Sequence, residues 1–139
     1  MELLETPIKE LMAAQVITIT TKDSLNYAKE LMRENSIHHL PVTLDDEIVG
    51  MLSNNDLKKV EYISEFVGGK TSNDSSFAVV DVEELMTKCL MVLGEESILR
   101  DAVELFSMNE FQALPVVHGA QVVGIVTTKD VFSYILNHR

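Results

Sequence analysis

The chain has 139 residues and a mass of 15.5 kDa, enough for one ordinary domain with a hydrophobic core or for two half-size units sharing one. Twenty-two acidic against eleven basic residues give a formal net charge of −11, which opposes broad phosphate neutralisation and argues against nucleic acid or an anionic membrane surface as a partner. The single cysteine, Cys89, cannot form an internal disulfide, the acidic N-terminus lacks signal-peptide character, and no apolar run approaches the ~20 residues of a membrane helix; a cytoplasmic chain without membrane insertion is the expectation.

In chain order, the first segment is MELLETPIKELM, followed by the short apolar run VITI (16–19), suited to a buried strand. In SLNYAKELMREN the residues Leu25, Ala28, Leu31 and Met32 recur at helical spacing, which predicts an amphipathic helix capped by Ser24 or Asp23. LPVTL, the polar turn Asp45-Asp46-Glu47 and IVGMLS then read as a β-hairpin. The acidic turn lacks further oxygen ligands at loop spacing, so it reads as a solvated turn and no metal site is expected. A second helix is entered through GMLSNNDL (50–57), and GGKTSNDSS (68–76) has the composition of a flexible loop.

After that loop the pattern returns at a constant offset of 74 positions. Glu10-Leu11-Met12 fall on Glu84-Leu85-Met86, Leu40-Pro41-Val42 on Leu114-Pro115-Val116, Gly50 on Gly124 and Asp56 on Asp130. A single offset held over most of each half signals a duplication. LMVL (90–93) is the second candidate strand, SILRDAVELFSMN the second amphipathic helix with Ser97 as its cap, and LPVVH and VVGIVT the second hairpin. GIVTTKDV (124–131) leads into a last helix whose apolar stripe is Val131, Phe132 and Ile135 with Tyr134 beside it. Met32, Met86, Met91 and Met108 are expected to fill gaps in the core. The chain thus divides into a first repeat (1–67), a loop (68–76) and a second repeat (77–139), each read as strand, helix, strand, strand, helix.

These residues resemble the paired cystathionine-β-synthase (CBS) domain, or Bateman module. The resemblance rests on Leu11-Met12, on Ile37-His38-His39-Leu40-Pro41-Val42 with Phe111-Gln112-Ala113-Leu114-Pro115-Val116, and on the two stretches ending Ser53-x-x-Asp56 and Thr127-x-x-Asp130. It implies an α/β (α+β) fold of two βαββα repeats packed with pseudo-two-fold symmetry, commonly paired again into a homodimer. It also implies an adenine nucleotide, AMP, ADP or ATP, or sometimes S-adenosylmethionine, as a regulatory ligand between the repeats, with no cofactor required. Carried onto this chain, Asp56 with Ser53 and Asp130 with Thr127 would hold ribose; His38, His39 and Lys129 would reach phosphate. Ile17, Val42, Met91 and Val116 are core by default and could also line an adenine pocket. Gln112 and Ala113 replace the two histidines in the second copy, and Asn55 replaces the lysine in the first, so the two sites are expected to differ.

A hydroxyl residue followed three places later by a carboxylate, at a strand-to-helix junction, is also close to a capping box, which any fold can use. No nucleophile elbow, P-loop or zinc motif is present, so an enzyme is not expected. Two readings remain: a stand-alone regulatory module that senses an adenine nucleotide and acts on an unidentified effector protein, or a dimerisation and interaction scaffold with empty clefts.

Overall fold

The computed structural model describes residues 2–68, 80–88 and 91–138. Cys89 and the stretch 69–79, which holds most of the expected loop, lie outside the described residues. The chain forms two compact units, Ile17–Cys89 and Met1–Val16 together with Leu90–Arg139. They are called below the Asp56 unit and the Asp130 unit.

In the Asp56 unit, β1 (Ile19–Thr20), α1 (Leu25–Asn35), β2 (His39–Leu44), β3 (Glu47–Ser53) and α2 (Asn54–Gly68) are followed by α3 (Val82–Leu85) and β4 (Thr87–Lys88). The sheet order is β1-β2-β3-β4, parallel between β1 and β2 and antiparallel elsewhere. Leu25, Ala28 and Met32 of α1, at the helical spacing expected, are buried with Ile19, Leu40, Val42, Leu52 and Leu57. Ser24 caps α1, its Oγ accepting the Tyr27 N–H at 3.0 Å, while the Asp23 carboxylate accepts the Thr20 N–H. Asp45 and Asp46, with φ of 51° and 67°, both take the left-handed conformation that a two-residue hairpin loop requires for its twist to match the strands.

The Asp130 unit repeats the plan with β5 (Leu93–Gly94), α4 (Leu99–Met108), β6 (Ala113–His118), β7 (Gln121–Thr127) and α5 (Thr128–Asn137), in sheet order β5-β6-β7. Both hairpins carry a bulge at the same place, after Val42 and after Val116, leaving Val49 and Val123 as the extra residues. The expected order of strand, helix, strand, strand, helix is therefore found twice.

The chain's first residues belong to this second unit. Ile8 is fully buried among Leu93, Leu99, Leu114 and Val126. Its N–H donates to the Ser97 carbonyl at 2.8 Å, and Ala13 exchanges two hydrogen bonds with Ile125. In the same manner Thr87 pairs with Met51 on the other sheet. The β3 edge of one sheet and the β7 edge of the other are thus each met by the segment that, in sequence, precedes the other repeat. Gly124 and Gly50 make this possible, because a Cβ at either would collide with the Sδ of Met12 or of Met86.

Several local expectations are corrected. The strands lie later and are shorter than VITI and LMVL: only Ile19 and Leu93 of those runs enter a two-residue pairing, Met91 and Val92 are exposed, and Leu90 lies outside the described residues. Ser97 does not cap α4. Its carbonyl is committed to Ile8, the helix begins one residue later, and Asp101 accepts the Ile98 N–H at 2.9 Å instead. Met32 is buried, but Met91 and Met108 are exposed and do not fill the core. Phe132 is exposed as well: the face of α5 that packs on the core carries Val131, Tyr134 and Ile135 and leaves Phe132 outside it.

Candidate functional site

Each second hairpin strand ends in the hydroxyl residue of the duplicated motif, and a helix starts at the next position. The Ser53 Oγ accepts the Asp56 N–H at 3.1 Å, while Asp56 Oδ2 accepts the Ser53 N–H at 3.0 Å. Thr127 and Asp130 make the same reciprocal pair at 3.1 and 2.9 Å. Both motifs are complete capping boxes, in which two otherwise orphaned N–H groups are satisfied and a carboxylate sits at the positive end of the helix. All four residues are half-buried, so the boxes also present polar atoms to solvent.

The entry to the preceding strand is tied to the same junction. The His38 carbonyl accepts the Asn54 N–H at 2.8 Å, and its counterpart, the Gln112 carbonyl, accepts the Thr128 N–H at 3.0 Å. Asn54 and Thr128 were not singled out in the sequence, where an N–H bond to a residue sixteen places earlier leaves no side-chain signature. His39 lies directly opposite Ser53 in the β2–β3 ladder. Burial, reinforced by neighbouring His38, holds its imidazole below the ordinary value of 6.5, with Asp56 acting in the opposite direction. His39 is therefore neutral at pH 7. In the Asp130 unit its place is taken by buried Ala113, opposite Thr127.

The remaining candidates divide by unit. His38 is exposed beside His39, and Lys129 is exposed in the first turn of α5 next to Asp130. Ile17 is half-buried against the core of the Asp56 unit, and Met91 is exposed in the Asp130 unit. Val42 and Val116 are wholly buried, paired with Ile19 and Leu93, so their part is in the core and neither has surface to offer a ligand. No group of three or more His, Cys, Asp or Glu arranged to hold a metal ion occurs among the described residues. Nor, among these residues, is any helix long and apolar enough to cross a membrane.

Two copies of one strand-helix-hairpin-helix plan, each with a hydroxyl–carboxylate box joining its hairpin to its last helix, define a tandem α/β repeat. The sequence profile of the CBS domain matches residues 8–62 and 82–137, and the chain belongs to the CBS domain family. It is 33% identical over 118 residues to an inosine-5'-monophosphate dehydrogenase of Korarchaeum cryptofilum (strain OPF8); the match covers 84% of this chain but spans only 22% of that relative's length. Among solved structures, protein MJ1225 of Methanocaldococcus jannaschii is similar with a TM-score of 0.79 and 28% identity, over 94% of this chain and 48% of that one. The structure of CBSX2 in complex with AMP is similar with a TM-score of 0.79 and 26% identity, over 95% of this chain and 97% of that one.

Proposed function

We propose that this CBS pair is a regulatory ligand-binding protein, not an enzyme, whose ligand is an adenine nucleotide: AMP, ADP or ATP. The observation that carries the reading is the duplicated box, Ser53 with Asp56 and Thr127 with Asp130, in a chain similar end to end to a protein solved with AMP. In each box the carboxylate already has a firm position, so it can receive ribose hydroxyls without being ordered at the moment of binding. The helix start beside it favours an anion. His38 and His39 in the Asp56 unit and Lys129 in the Asp130 unit are assigned to phosphate, and Ile17 and Met91, one in each unit, to apolar surface for a base. The nucleotide acts by binding two arrangements of the protein unequally, and so shifts what an effector protein meets. A cytoplasmic setting fits a ligand of this kind.

Calorimetry with AMP, ADP, ATP and S-adenosylmethionine at physiological concentrations tests this. Asp56→Asn keeps an oxygen acceptor for the Ser53 N–H but removes the charge, so it is expected to weaken nucleotide binding at least tenfold with little loss of folding. If AMP, ADP and ATP all fail to bind, or only S-adenosylmethionine binds, the reading fails. A second reading, an interaction or homodimerisation scaffold, is favoured by one observation: Phe132 and Leu136, one helical turn apart on α5, are 64% and 62% exposed. It predicts a dimer that dissociates in Phe132→Glu and is indifferent to nucleotide.

A further inference from the structure

The two boxes are built alike, yet only one has an imidazole beside it. His39 is held against the start of α2 by two independent features: its ladder position opposite Ser53, and the Asn54 N–H bond to the preceding residue's carbonyl. The titratable groups acting on it are His38, its chain neighbour, and Asp56, from the first turn of α2. Ala113, at the matching position, cannot titrate. A phosphate brought to the Asp56 box enters an acidic chain and meets a carboxylate already fixed there, so nearby positive charge must compensate it. The imidazole can supply that charge by taking up a proton.

We infer, on the basis of the nucleotide reading above, that His39 makes the Asp56 site proton-linked: a phosphate-bearing ligand bound there draws a proton onto His39, whereas the Asp130 site has no such response. Ligand-free, His39 is kept neutral by burial and by His38. A bound phosphate raises its proton affinity, so affinity for the ligand increases as pH falls from the bound-state pKa toward that of the free protein. Over that interval the gain approaches tenfold per pH unit, the limit for one linked proton. Below the free-state pKa the imidazole is already charged and the dependence levels off.

The test is calorimetry with AMP and with adenosine, each in buffers of different ionisation enthalpy, which counts the protons taken up. The wild-type protein is compared with His39→Ala and His39→Gln. Alanine already stands at the matching position of the other unit, and glutamine keeps polarity and bulk without charge. The expected result is up to one extra proton taken up with AMP by the wild type, lost in both variants, with none for adenosine. Titration of the phosphate itself is common to all three proteins and cancels in the comparison. AMP binding with the same proton count in wild type and variants, or weakened equally at every pH, overturns the inference and leaves the nucleotide reading standing. Failure of AMP, ADP and ATP alike to bind at any pH overturns both.

Discussion

His39 and Ala113 stand at the same place in their two units, and this difference, beside those of Asn55 against Lys129 and His38 against Gln112, makes two capping boxes of the same geometry chemically unequal. Because folding lowers the imidazole's proton affinity, the native state resists a proton that the unfolded chain accepts near 6.5. The sign follows: the neutral form's contribution is complete above the unfolded value and is lost as pH falls through the folded one. Denaturant titrations of the ligand-free protein are therefore expected to show a loss of stability below about pH 6.5. His39→Gln should lose less over the same range, and an equal loss in both proteins would show that His39 does not feel its surroundings in the way described. The boxes were legible in the sequence, since a hydroxyl and a carboxylate three residues apart lie within one helical turn. What His39 faces was not, because that depends on which strand β2 pairs with and in what register.

At the scale of elements, the glycines of β3 and β7 are the sites where an adjacent segment comes closest. A Cβ at Gly50 would meet Met86 Sδ and the Thr87 carbonyl, while one at Gly119 would meet nothing and would cost only the strain of a φ of +65°. Gly50→Ala is accordingly expected to cost about 1–3 kcal/mol by overpacking. Part of that should be recovered in a Met86→Ala background, because the thioether that must move has gone while the close Thr87 carbonyl remains. Chemical denaturation of the four proteins in this cycle measures the coupling, and strict additivity would mean that Met86 does not hold β4 in place. Helix faces followed from periodicity: Leu25, Ala28 and Met32, and Leu99 and Ala102, are buried as their spacing predicts. Short strands did not, because in a four-residue apolar run nothing local tells which residue will pair.

For the molecule as a whole, the two sheets borrow from one another along the chain. Residues that open the sequence complete the Asp130 unit, and residues that lead toward the second repeat complete the Asp56 unit. The consequence is specific: Ile8→Ala removes a fully buried side chain from the core of Leu93, Leu99, Leu114 and Val126. Stability should fall by about 2–5 kcal/mol. Hydrogen exchange should accelerate across β6 and β7, more than 100 residues away in sequence, and unchanged protection there would refute the packing. The family assignment did not depend on this exchange, since it rests on motifs present in both copies.

By itself the amino-acid sequence determined the duplication, the order of elements in each copy, the helix faces and both hydroxyl–carboxylate boxes. All of these are set by residues within one or two helical turns or by an offset that repeats. Only the tertiary structure decided that Ile8 and Met12 serve the second sheet and Met86 the first, that Val42 and Val116 are wholly core, that Phe132 faces outward, and that His39 sits opposite Ser53. Each of these depends on pairing between distant segments, and the energy that selects such pairings comes from burial summed over a whole core, not from the residues nearest in the chain.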